Sequence, residues 1–315
     1  MPGVKVADIA YGRLRAPDLD VMEEFLGHFG MARAARTPRA LYMRGTDPHH
    51  HLHVTELGEP AFVGFAWYAA SEEDLYRLAE RPGASPVESI DEPGAGKRVR
   101  LTEPNGYQIE VVHGLEPAAP IAVPRQSLNM GADSTRRAGE LMRLKPGAAH
   151  VKRMGHGVMA TPRLEETVRW FRDMLGLICS DDVYAGSKEH IIGSFNRCDR
   201  GEDYVDHHAF FCLRHEKVGL NHFSYEVQDV DDVFLGHEHL KRTGKYEHMW
   251  GLGRHFLGSQ IFDYWADPWG RVHEHWTDSD RINARHGSNL ISAEEGLLSQ
   301  WGDRPPPKML DRVCA

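Results

Sequence analysis

His156, His222 and Glu274 are the residues of this chain whose types and setting point most directly to chemistry. Each lies in a strand-like stretch. Together they can bring two imidazoles and one carboxylate to a single metal ion. Such a set holds one face of an Fe(II) ion and leaves the other face open, as oxygen-activating non-haem iron sites require. Mn(II) accepts the same donors, so ligand type alone does not choose between the two.

The histidines need independent support, because the chain has twenty of them. An internal repeat supplies it. AYGRLRAPDLDVMEEFL from Ala10 aligns with GHGVMATPRLEETVRWF from Gly155, placing Tyr11 opposite His156 and Leu19 opposite Leu164. FVGFAWYAASEEDL aligns with LNHFSYEVQDVDDV, placing Gly64 opposite His222 and Phe65 opposite Phe223. EPNGYQIE aligns with DPWGRVHE, placing Glu110 opposite Glu274. The first half thus has Tyr11, Gly64 and Glu110 where the second has a full ligand set. One carboxylate cannot hold a metal alone. The second half is the catalytic candidate, and Glu110 reads as a buried or edge carboxylate.

The elements that would position these residues follow from local pattern. The first pair of segments reads as strand, turn and amphipathic helix, and the second as a β-rich run leading into a helix; in the third, Pro-x-Gly reads as a hairpin turn feeding a final strand. In the second copy Thr161 is expected to cap a helix opened by Pro162, with Glu165 and Glu166 at its positive end. Leu164, Val168, Phe171 and Leu175 then recur on one helical face. The halves span 1–118 and 150–282. Residues 119–149 have Pro/Ala-rich linker composition with a short helical stretch near Ser134–Leu144. Residues 283–315 form a polar tail with a short helix over Ser292–Trp301.

Composition closes off other classes. The 315 residues are 41% hydrophobic and 26% charged, ordinary for a globular protein with a sizeable core. A net charge of −9 argues against a nucleic-acid surface. No apolar run reaches ~18 residues, so no membrane span is expected. The N-terminus lacks an apolar secretory region. Cys179, Cys198, Cys212 and Cys314 form no CxxC pair, which fits reduced thiols in the cytoplasm.

GRHFLGSQIFDYWADPWGRVHE, beginning at Gly253, carries a more specific pattern: Gly253, His255, Tyr264, Asp267, Pro268, Gly270 and Glu274. This stretch resembles the type I extradiol ring-cleavage dioxygenases of the vicinal oxygen chelate superfamily. The resemblance covers both halves and is strongest from His207 to Asp278. Asp263 departs from it, standing where the family usually has an apolar side chain.

The resemblance implies an α+β fold of two vicinal oxygen chelate domains, each of two βαβββ modules with its sheet curled around a cavity. It implies an Fe(II)-dependent dioxygenase that cleaves a catechol-type ring with O2 in aromatic catabolism. Its partners would be a small aromatic diol and O2, and it would form a homo-oligomer. By carry-over, His255 and Tyr264 would contact substrate or the oxygen intermediate. His207, 15 residues before His222, would be the acid–base histidine. Strict alternation would turn His208 to the opposite sheet face. Two competing readings stay open: another metal-dependent enzyme of the superfamily, glyoxalase- or thiol-transferase-like, and a non-catalytic aromatic-binding protein. The remaining histidines have blander expectations. His49 to His53 read as the first half's counterpart of the His207–His208 strand. His237 and His239 read as solvent-exposed on a helix. His273 and His275 should face away from Glu274.

Overall fold

In the computed structural model, residues 4–124 and 127–315 are described; the first three residues and residues 125–126 of the expected linker lie outside them. The first half contains β1 (Val6–Ala16), α1 (Leu19–His28), β2 (Ala32–Arg36), β3 (Ala40–Arg44) and β4 (His53–Leu57). A second βαβββ unit follows: β5 (Ala61–Ala69), α2 (Glu72–Ala79), β6 (Glu88–Ser89), β7 (Lys97–Thr102) and β8 (Gln108–His113). They build one sheet in the order β2-β3-β4-β1-β5-β8-β7-β6.

The second half repeats this plan. Its third unit has β9 (Val151–Thr161), α3 (Leu164–Leu175), β10 (Leu177–Tyr184), β11 (Ile191–Cys198), the two-residue β12 (Val205–Asp206) and β13 (Phe210–Arg214). Its fourth has β14 (Gly219–Val227), α4 (Val230–Thr243), β15 (His248–His255), β16 (Ile261–Ala266) and β17 (Val272–Thr277). After it come β18 (Arg281–Ile282), β19 (Asn289–Ser292), α5 (Ala293–Gly296), β20 (Ser299–Trp301) and α6 (Pro307–Leu310). The sheet order β10-β11-β13-β9-β14-β17-β16-β15 matches the first half strand for strand, with β19 and β20 added at its edges. The fold is α+β, with two sheet-rich halves. Among the described residues, no helix is long and apolar enough to cross a membrane.

Register confirms the residue equivalences. Tyr11 pairs with Ala66 and Ala66 with Glu110; His156 pairs with Ser224 and Ser224 with Glu274. The halves meet through a reciprocal pair of close approaches. A Cβ on Gly12 would lie 2.3 Å from the Phe223 ring, and one on Gly157 would lie 2.1 Å from the Phe65 ring. These are equivalent glycines and equivalent phenylalanines. Each half presents a missing side chain to the other's aromatic ring, so both positions exclude even alanine without a shift in packing. Phe29, the residue that caps the end of α1, completes the contact by stacking on His275 at 3.7 Å.

Three local expectations need correction. Strand β9 continues through Thr161, because Thr161 still pairs with Arg214. Helix α3 starts only at Leu164, and the Thr161 hydroxyl accepts from the Arg163 N–H at 3.0 Å, closing the intervening turn. The helix expected near Ser134–Leu144 is absent; turns occupy that segment. Of the helix expected over Ser292–Trp301, only Ala293–Gly296 is helical. Its neighbours are drawn into strands by open sheet edges, β19 by β10 and β20 by β15, so tertiary pairing overrides local preference.

Candidate metal centre

His156 projects from β9, His222 from β14 and Glu274 from β17, three neighbouring strands at the centre of the second sheet. His156 Nε2 lies 3.1 Å from Glu274 Oε2, and His222 Nε2 lies 3.5 Å from the same oxygen. The two Nε2 atoms are 3.4 Å apart. All three residues are buried.

The carboxylate tests whether a metal belongs here. Glu274 is fully buried, yet neither of its oxygens makes a well-formed hydrogen bond. A buried, unpaired carboxylate is costly unless a cation or donors meet it. Burial by itself pushes the Glu274 carboxyl up, but the His156, His222 and His255 imidazoles outweigh this and hold it well below the usual range. His222 is oriented to offer a lone pair. Its Nδ1 lies 2.7 Å from Asn221 Oδ1, and the Asn221 amide donates to the Arg312 carbonyl at 2.9 Å. With Nδ1–H donating to Asn221, Nε2 is free to ligate. The residues fit a divalent ion.

Around this point the strands gather polar groups on one wall of a cavity of about 120 Å³. Tyr264 pairs with Glu274 in the strand register, and its hydroxyl is 2.8 Å from His255 Nε2. Burial and then the nearby Glu274 raise the Tyr264 phenol well above its ordinary value, so it stays protonated. The rest of the wall is apolar, including Val158, Phe195, Phe211, Trp250 and Leu257. Leu297, Leu298, Pro305 and Met309 of the tail add to this lining. Among the described residues, no lysine or arginine lines it. A larger cleft of about 690 Å³ lies elsewhere, lined by charged groups such as Asp8, Arg153, Asp206 and Arg281. It holds none of the three ligands, so size does not identify the site.

The expectation for His207 fails. His208, not His207, lines the cavity, with its ring 4.2 Å from that of His156. Both histidines precede β13, in an irregular segment where strict strand alternation does not apply. His207 turns away and places Nε2 2.6 Å from Asp181 Oδ2, while its Nδ1 is 3.1 Å from His208 Nδ1. Burial, then the neighbouring His156 and His207, hold the His208 imidazole well below its ordinary value.

Two site residues escaped sequence reading. Asp181 is an unremarkable strand acid until the fold brings it to His207. Gln260 is 1% exposed, lines the cavity and leaves both amide atoms without a hydrogen-bond partner. Nothing in its sequence context marks it. Among the described residues, only two sets of three ligand-type side chains have donor atoms within 4.8 Å of one another: His156–His222–Glu274 and His237–His248–Asp263. The His49–His53 tract gathers none; His53 instead bonds Tyr225 across the halves at 2.8 Å.

Comparison with known proteins agrees with this architecture. Residues 153–274 match the family described as the Glyoxalase/Bleomycin resistance protein/Dioxygenase superfamily. Metapyrocatechase 2 of Cupriavidus necator is 29% identical over 309 residues, covering 97% of this chain and 92% of that one. Among solved structures, the homoprotocatechuate 2,3-dioxygenase of Brevibacterium fuscum, in complex with 3,4-dihydroxyphenylacetate, gives a TM-score of 0.79 at 16% identity. It covers 99% of this chain and 94% of its own. The Mn(II)-bound glyoxalase of Novosphingobium aromaticivorans also scores 0.79, at 23% identity, covering 97% and 94%. These structures share the two-domain vicinal oxygen chelate fold.

Proposed function

We propose that this chain, whose residues 153–274 form a domain of that superfamily, is an Fe(II)-dependent extradiol dioxygenase that opens a catechol-type ring with O2. The observation that carries the reading is the unpaired buried carboxylate of Glu274 between two imidazoles, beside an apolar cavity with further proton-carrying groups. The metapyrocatechase relative supports it along nearly the whole chain. His156, His222 and Glu274 would hold the ion; Mn(II) fits the same donors. Held there, such an ion would supply Lewis-acid and redox chemistry with open positions for a diol and O2.

The protein's own groups handle protons and orientation. If Asp181 accepts from His207 Nε2–H, His207 Nδ1 is left as an acceptor, and His208 Nδ1–H donates to it. His208 Nε2 is then a free lone pair at the cavity. A neutral, buried imidazole in that state takes a proton from a substrate hydroxyl and returns it later. His208 is the catalytic acid–base residue in this scheme, and His207 and Asp181 position it. Tyr264 and His255 form one hydrogen-bonded pair beside Glu274, ready to donate to a substrate oxygen. Gln260 offers its unpartnered amide to a polar group of the ligand. The tail residues exclude water from the cavity.

With no lysine or arginine among the described residues of its wall, the cavity suits uncharged catechols, such as alkyl- or halocatechols, better than ring carboxylates. The four cysteines are free thiols, which fits work in a reducing cytoplasm. A homo-oligomer is expected for such an enzyme. The test is anaerobic reconstitution with Fe(II), addition of a catechol, and admission of O2. A yellow ring-fission product with one O2 consumed per ring supports the reading. Stoichiometric bound iron without O2 uptake on any catechol, or turnover of a hemithioacetal instead, overturns it.

A further inference from the structure

A second set of two imidazoles and one carboxylate lies on the opposite face of the same sheet. Asp263 precedes Tyr264 on β16, and alternation turns it toward α4 while Tyr264 faces the cavity. Its side chain is fully buried. His237 comes from α4 and His248 from β15. His237 Nδ1 lies 3.2 Å from both Asp263 oxygens, and His248 Nε2 lies 2.7 Å from Oδ1. The Trp265 indole N–H donates to Oδ2 at 2.5 Å. Position 263 is also where the sequence departs from the extradiol pattern.

We propose that His237, His248 and Asp263 form a second divalent-metal site, with Zn(II)-type chemistry and a structural role. Three ligands from three separate elements converge here, and imidazole plus carboxylate suits Zn(II) and its neighbours. The site is reachable: the His237 and His248 side chains are 15% and 32% exposed, so an ion can enter and keep a water ligand. Trp265 fixes one carboxylate oxygen as an outer hydrogen bond and leaves Oδ1 to bind. Imidazole must be unprotonated to ligate, so binding strengthens as pH rises. It would clamp α4 to the β15–β16 hairpin, which carries His255 and Tyr264. It is not positioned to touch substrate, and the proposal does not depend on the dioxygenase reading.

The test is an anaerobic titration of the full metal-free chain with Co(II), followed by its visible spectrum and by elemental analysis after desalting. Wild type should retain two equivalents. His248→Ala and His237→Gln should each retain one and, once loaded with Fe(II), keep wild-type turnover. His237→Gln is the milder change should His248→Ala fold poorly. His156→Ala should also retain one, held at the second site. A metal count that neither His248→Ala nor His237→Gln lowers below wild type overturns the proposal. Should the catalytic reading be the one at fault, wild type would retain one equivalent, which His156→Ala would keep and His248→Ala would lose.

Discussion

One row of residues crosses four neighbouring strands in each half. It reads Arg100, Glu110, Ala66 and Tyr11 in the first, and Tyr264, Glu274, Ser224 and His156 in the second. Both rows bury a glutamate at the same register position. In the first half Glu110 takes 2.7 Å from the Tyr11 hydroxyl, 2.9 Å from the Gln108 amide, and 3.2 Å from each of Arg13 and Arg98. Its charge is met by guanidinium. In the second half no arginine approaches Glu274 among the described ion pairs; its neighbours are imidazoles. A buried carboxylate requires a cation or donors in either half. One copy carries that cation covalently as arginine, and the other leaves room for an ion.

The sharpest way to break this comparison is to remove the carboxylate from each half. Glu274→Gln should abolish tight iron binding and lower turnover by at least ~10³-fold, since the ion's entire contribution goes with it. Glu110→Gln should leave metal content unchanged by elemental analysis. Metal loss in the Glu110 variant would mean that the first half is not inert.

His208→Ala should keep the metal and reduce kcat by ~10²–10⁴-fold, the range of a lost acid–base group. His207→Ala and Asp181→Asn should cost less, about tenfold, and displace the pH–rate profile rather than eliminate turnover. A His207 variant more damaging than the His208 variant, with metal intact in both, would reverse the assignment.

How much of this was legible beforehand depends on what sets each feature. The repeat was readable because each aligned segment keeps its internal spacing, Tyr11 and Gly12 against His156 and Gly157, Gly64 and Phe65 against His222 and Phe223, Gly106 and Glu110 against Gly270 and Glu274, and regular strands convert spacing into register. His156, His222 and Glu274 lie inside regular strands, so their convergence followed as well. His208 did not, because it sits in the irregular approach to β13, where facing is decided by Asp181 and His156 rather than by pleat. The tail was missed for a related reason: Asn289–Ser292 and Ser299–Trp301 become strands only because open edges exist to receive them. His237 looked like a solvent-exposed helix residue because Asp263, its partner, is 26 positions away in sequence.

Filling the first half's role from the other direction gives a smaller effect on activity but a clear one on stability. Arg13→Leu removes one cation from the Glu110 cluster, in which the Arg13 and Glu110 side chains are only 7% and 3% exposed. Breaking a buried pair by removing one partner costs about 3–5 kcal/mol, which thermal unfolding should register as a clear fall in Tm. Iron content and kcat of the protein that remains folded should match wild type.

Converting the first half into a metal site should do least of all. Tyr11→His with Gly64→His would reproduce the ligand types, but a Cβ on Gly64 would lie 1.6 Å from the Gln108 carbonyl oxygen, and its φ is +157°. The histidine has no room without moving β8, and Arg13 and Arg98 would still occupy the carboxylate. The double variant should therefore bind no additional Co(II) beyond wild type in a side-by-side titration. An added equivalent, with the second half's metal still in place, would mean that the arginine cluster gives way to an ion, and that the two halves differ in occupancy rather than in architecture.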